Sequence, residues 1–214
     1  MALAIAVMNI KGGCGKTTIA THLAAGFASS GLTAALADYD RQKSSLIFGE
    51  LRPESAVRID FLDWRDDFGE VGRHVQRLII DCPASLKSER VRKVVREADV
   101  VVVPVQASIY DERATLHFLS QIEELKKVRS GEKRTLIVAN RFRPASAQGR
   151  KLERLMLGHG YQMLARIGDR SIYPRLAEQG LTVFDVRSKT AQAEQETWLP
   201  LFEAIEAIAR ARQG

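Results

Sequence analysis

Residues Met8-Asn-Ile-Lys11-Gly-Gly-Cys-Gly-Lys16-Thr17-Thr18 decide how this chain folds. An apolar run at 3–9 leads into them. A helical stretch at 16–30 leads out, with Ile19, Leu23 and Phe27 spaced four residues apart on one face. A strand that passes through a glycine turn into a helix start makes a cradle for phosphate. Gly12, Gly13 and Gly15 let backbone amides come close to anionic oxygens, and the helix N-terminus adds its partial positive charge. Cys14 and Thr18 complete the loop. Lys16 brings a point charge to the outer phosphates of a nucleotide, and the Thr17 hydroxyl suits Mg²⁺. The strict pattern GxxxxGK[ST] needs glycine at position 10, where Ile10 stands, and an additional lysine, Lys11, opens the loop.

Strand candidates recur at 32–38, 77–81, 99–104, 134–140 and 162–167. Helix candidates lie at 86–97, 111–129, 146–158, 171–179 and 198–212. Asp99-Val-Val-Val-Val-Pro104 is continuously apolar and β-branched, as a strand covered on both faces must be. This alternation predicts an α/β fold: a mostly parallel central sheet with helices on both faces, in one domain spanning 1–214. Ligands of such sheets bind beyond the carboxyl ends of the strands. Two acidic segments fall there, Asp38-Tyr-Asp40-Arg-Gln42 and Asp81-Cys-Pro83. Carboxylates facing a phosphate loop can orient Mg²⁺ and an attacking water.

Composition narrows the classes further. With 214 residues, 45% hydrophobic and 27% charged, the chain has an ordinary globular balance. No apolar run reaches the ~20 residues that span a bilayer. The short apolar start lacks a leading positive charge and reads as a core strand, not a signal peptide, so a cytoplasmic location is expected. Cys14 and Cys82 lack metal-ligand spacing and are expected to be small buried residues. His22, His74, His117 and His159 are scattered and are read as structural or surface groups. The formal charge of +6 permits anionic partners without naming one.

The loop with Lys11 and without glycine at 10 resembles the deviant phosphate loop of the ParA/MinD superfamily of P-loop ATPases. The resemblance covers nearly the whole chain and is nearest to small ParA proteins that lack an N-terminal DNA-reading domain. It implies that Lys11 reaches the nucleotide of a partner subunit in an ATP-dependent homodimer. Asp38-x-Asp40-x-Gln42 resembles the first switch box, and Asp81-x-Pro83 the second. By that likeness Asp40 positions the hydrolytic water, Asp81 holds the Mg²⁺ shell with Thr17, and Asp38 supports. Asp40 stands with Thr17 and Asp81 as a candidate for the metal site. Val103-Pro104-Val105-Gln106 resembles the segment that passes near nucleotide and dimer face, and Asn140 stands where the family's adenine-binding asparagine sits. Arg41 replaces the proline usual in the first switch box.

Such proteins are cargo-positioning switches. The resemblance implies ATP and Mg²⁺ as cofactors, non-specific DNA as a binding surface on the nucleoid, and a ParB-like adaptor that stimulates slow hydrolysis. Residues 141–213 hold 12 Lys/Arg against 8 Asp/Glu, and residues 87–96 hold Lys87, Arg90, Arg92, Lys93 and Arg96 against Glu89. These support phosphate-backbone contact, although a charge run is also what a solvated helix face looks like. Two other readings stand beside this one. A membrane-associated, MinD-like ATPase would use an amphipathic last helix, but Glu203 and Glu206 on its polar face disfavour membrane contact. A metabolic ATP-dependent ligase or kinase needs a substrate-anchoring cluster, and the sequence displays none.

Overall fold

The computed structural model describes residues 1–84, 86–107, 109–128 and 134–212. Seven strands form one sheet: β1 (Leu3–Val7), β2 (Ala34–Asp38), β3 (Asp60–Asp63), β4 (Arg77–Asp81), β5 (Val100–Val105), β6 (Arg134–Phe142) and β7 (Met163–Gly168). Their order is β3-β2-β4-β1-β5-β6-β7, and every pairing is parallel. The helices are α1 (Lys16–Ser29), α2 (Ser44–Leu51), α3 (Ser88–Glu97), α4 (Ile109–Val128), α5 (Ala147–Gly158), α6 (Ile172–Ala177) and α7 (Lys189–Ala211). The expected α/β architecture is present, with two additions in the stretch 41–76, where α2 and β3 lie. Residue 129 of the helix candidate at 111–129 falls outside the described residues.

Strand alternation sorts the core into two layers. Leu3, Ile5, Val7, Leu36, Ile79, Val100 and Val102 pack with α1, α6 and α7. Ala4, Ala6, Met8, Ala37, Ile80, Val101 and Val103 pack with α3, α4 and α5. Both faces of the central strands are covered, as all-parallel sheets require. Register puts Val7 level with Asp81, and Asp81 level with Asp38. The two aspartates therefore sit side by side at the carboxyl edge, next to the strand that feeds the glycine loop.

The last helix begins nine residues before the expected Trp198. Ser188 caps it, its hydroxyl accepting from the Ala191 amide. Pro200 lies within the helix but on an exposed face. There the Glu196 carbonyl, deprived of its donor, can turn to water. The buried side is Ala191, Glu194, Trp198, Leu201, Ile205 and Ala209, so the amphipathic stripe is spent against the sheet. No described helix is long and apolar enough to cross a membrane.

The α1–α7 contact is built around His22. Its ring stacks on Trp198 at 4.9 Å and 8° between planes. Nδ1 meets the Thr18 carbonyl at 2.8 Å, and the Val183 amide meets Nε2 at 3.4 Å. A carbonyl only accepts and an amide N–H only donates, so both contacts hold only for the neutral Nδ1–H tautomer. Burial lowers its pKa from 6.5 to about 4, the Thr18 carbonyl and the charge of Asp185 opposing. On acidification the unfolded chain therefore takes up this proton first. The stability gained from a neutral His22 is present above the unfolded pKa and is lost as pH falls toward the folded one. Full loss amounts to about 3 kcal/mol. Urea unfolding across this range should show that part of the slope vanish in His22→Gln; equal slopes in both chains would assign the acid sensitivity elsewhere.

Candidate functional site

The glycine loop between β1 and α1 is held by Asn9 at its own start and by side chains of two other segments. The Asn9 amide donates to the Pro104 carbonyl at 2.9 Å, and the Asn9 carbonyl oxygen accepts from the Lys11 amide at 3.1 Å. Gln106 donates to the Gly13 carbonyl at 3.1 Å. Asn140 donates to the Cys14 carbonyl at 2.9 Å. Pro104 thus supports the loop through its backbone. The loop closes on itself: Lys16 Nζ donates to the Lys11 carbonyl at 3.0 Å, and Cys14 Sγ approaches the same carbonyl at 3.2 Å. Lys16 is buried at 8% exposure.

Gly15 is fixed twice over. Its φ of 91° lies in the left-handed region, and a Cβ there would stand 1.9 Å from the Asn140 amide nitrogen. Gly12 and Gly13 at the crest are exposed. Asn140, expected from the family likeness to meet adenine, is 4% exposed, and its amide nitrogen is engaged with the Cys14 carbonyl. An adenine contact through that nitrogen requires the loop bond to be exchanged.

The carboxylates come together as the register demands. Asp81 Oδ2 accepts from the Thr17 hydroxyl at 2.8 Å and from the Ser45 hydroxyl at 2.7 Å. Burial lifts the Asp81 pKa to about 7; the two hydroxyls and Lys16 oppose, while the charge of Asp38 adds to the rise. A cation at this point would reverse the balance. Asp38 is wholly buried. One of its oxygens accepts from the Asp40 amide at 2.9 Å, the other from the Ser45 and Leu46 amides at 2.9 and 3.0 Å. It therefore caps α2, whose own N-cap, Lys43, is left-handed and offers no side-chain cap. Burial raises the Asp38 pKa against those three amides. Asp40 is half-buried, and its Oδ1 accepts from the Gln42 amide at 3.0 Å.

Ser45 is a functional-site residue that sequence reasoning missed. The signal was faint: a hydroxyl near the start of an unrecognised helix, with its partner 36 positions away. The Thr17–Asp81 pair fits Mg²⁺, which takes one or two protein groups and draws its other ligands from phosphate and water. No group of three or more His, Cys, Asp or Glu among the described residues could hold a metal without such help.

A phosphate loop on β1, paired carboxylates on β2 and β4, and this strand order can be compared with known proteins. Residues 5–183 match the model of the CobQ/CobB/MinD/ParA nucleotide binding domain. The chain belongs to this family. It is 28% identical over 211 residues to maintenance of carboxysome distribution protein A from Halothiobacillus neapolitanus, covering 95% of this chain and 97% of the relative. Among solved structures, apo McdA from Cyanothece superposes with a TM-score of 0.74 at 15% identity, over 98% of this chain and 100% of that one. MinD from Aquifex aeolicus gives 0.72 at 16%, over 94% and 98%. The ParA/MinD likeness of the loop at Lys11 thus extends to the whole sheet.

Proposed function

We propose that this chain is an ATP-driven, dimerising switch ATPase that binds DNA without sequence preference and positions a cargo. One observation carries the reading. A single carboxylate oxygen, on Asp81, joins the phosphate loop through Thr17 to the 38–45 segment through Ser45. Whatever enters the loop and recruits Thr17 and Asp81 acts on that segment, which carries Asp38 and Asp40. Two relatives of this length are named for maintaining carboxysome distribution, and a plasmid partition protein from Borrelia burgdorferi shares the fold with a TM-score of 0.73. These names support a positioning role.

In this scheme backbone amides at Gly12–Thr18 and the Lys16 ammonium bind the phosphates, and Thr17 and Asp81 hold Mg²⁺. The ion, when bound, supplies charge neutralisation on the outer phosphate oxygens. Asp40 orients the attacking water, Asp38 fixes the segment that presents Asp40, and Asn140 serves the adenine side. Lys11 of each subunit completes the site of the other. An adaptor protein of the ParB type stimulates turnover, and the resting location is the nucleoid in the cytoplasm.

The membrane reading loses the side chains it needs, since Trp198, Leu201 and Ile205 are fully buried. The DNA reading is tested by fluorescence anisotropy on an arbitrary duplex with ATP, ADP or no nucleotide. Binding should require ATP and weaken steeply with salt, with a log–log slope of about −0.9 per phosphate neutralised. Asp40→Ala should hold DNA persistently, because ATP is bound but not consumed. Indifference of DNA affinity to nucleotide would sink the proposal.

A further inference from the structure

A cleft of about 310 Å³ opens beside the 38–45 segment. Asp40, Arg41, Pro83, Leu86, Lys87 and Arg90 line it together with the ring of Tyr39. Three cations thus share the cleft with one carboxylate and an apolar floor of Pro83 and Leu86. Arg41 and Lys87 are exposed, and no ion pair engages either among the described residues. The Arg90 guanidinium lies over the Tyr39 ring, 5.5 Å from its centre, and so is held in place at the cleft.

The rest of the α3 basic face differs. Lys93 pairs with Asp67, and Arg96 pairs with Glu97 at 2.9 Å. That neighbouring depression also carries Asp66 and Glu89. Acids are interleaved with cations in that depression, which Arg90 and Arg92 also line, whereas Arg41 and Lys87 share the cleft with Asp40 alone. A duplex lying along the face would bring its phosphates against Asp66, Asp67 and Glu89 as well as Asp40. An extended peptide can enter the cleft alone, with carboxylates on the cations and one apolar side chain on the floor.

We propose that this cleft receives an acidic peptide segment of a partner protein. Its carboxylates pair with Arg41, Lys87 and Arg90, and an apolar side chain seats on Pro83 and Leu86. The consequence, though not the binding, rests on the function proposed above: a segment held there lies against Asp40 and is placed to alter turnover. The cleft binds acidic peptide whether or not turnover responds.

The probe is a fluorescein-labelled peptide of glutamates carrying one leucine, titrated by anisotropy onto the full chain with Mg²⁺ and ATP. Saturable, salt-sensitive binding is expected. Arg41→Glu with Lys87→Glu should weaken it roughly tenfold or more, whereas Arg154→Glu, an exposed reversal on α5, should not change it. A fluorescent ATP analogue should bind all these chains alike. Equal peptide affinity in the double variant would overturn the proposal, as would an equal loss in Arg154→Glu. So would loss of duplex DNA with peptide binding retained, which would make the cleft a DNA contact. Failure of the function reading shows separately: ATP turnover unmoved by peptide or DNA would refute it and leave a measured cleft affinity standing.

Discussion

Lys11→Ala should bind ATP and Mg²⁺ as the parent chain does and yet lose turnover by about 10³-fold, the lower bound for a cation delivered to a transferring phosphoryl group. The substitution leaves the backbone contacts of residue 11 in place. Its amide donates to Asn9, and its carbonyl accepts from Lys16 and meets the Cys14 thiol. All three contacts survive in alanine. Lys16→Ala is the contrast. It removes the buried ammonium inside the loop and should abolish nucleotide binding itself.

Trans delivery is then tested by mixing. Lys11→Ala keeps its Asp40, and Asp40→Ala keeps its Lys11. A mixed dimer contains one site with both groups, contributed by different subunits. Random pairing of equal amounts restores about a quarter of the parent sites. Two inactive proteins should therefore recover about that share of parent activity when combined. No recovery, with mixed dimers verified, would place Lys11 in its own subunit's site. Full turnover by Lys11→Ala alone would remove the lysine from the mechanism altogether.

The glycine loop and the carboxylates on β2 and β4 were legible in the sequence for a physical reason. Each is a local event, a chemical group placed immediately after an apolar strand. The same holds for the sheet, since central strands covered on both faces advertise themselves as β-branched runs such as Val100–Val103. What escaped was non-local. α2 begins at a left-handed Lys43 with no cap of its own, and its capping carboxylate, Asp38, belongs to the preceding strand. β3 is a four-residue edge strand, only partly buried, with no apolar run to mark it. Ser45 became visible only once α2 placed it on Asp81. α7 begins nine residues before the expected Trp198, at a cap, Ser188, that is followed by few apolar residues before Trp198. Asn140 lies within β6, two residues before its end, and a contact from its amide to a carbonyl 126 residues away leaves no trace in spacing.

The far end of α2 should be as consequential for folding as Lys11 is for turnover. Arg52, the C-cap residue of α2, forms a bidentate pair with Asp185 at 2.6 and 3.1 Å, the two side chains 5% and 0% exposed. The same guanidinium donates to the Val57 and Gly180 carbonyls. Gly180 has a φ of 64°, and a Cβ there would stand 2.4 Å from the Arg52 amide nitrogen, so the two segments meet where only glycine fits. Asp185 also accepts from the amide and hydroxyl of Thr182. Arg52→Ala strands this carboxylate in the interior with Thr182 as its remaining partner and orphans two carbonyls. The expected loss is about 3–5 kcal/mol, typical of breaking a buried pair by removing one member. A large part of a typical domain's stability would go with it. Urea unfolding of both chains measures the loss, and a drop below about 1 kcal/mol would show the pair to be incidental. Replacing both members, as Arg52→Met with Asp185→Leu, removes the stranded charge and should recover part of the loss. Because α2 carries Ser45 at its other end, ATP and Mg²⁺ should stabilise the Arg52→Ala chain less than the parent if the helix shifts as a unit. Equal stabilisation in both chains would confine the damage to the 180–185 loop.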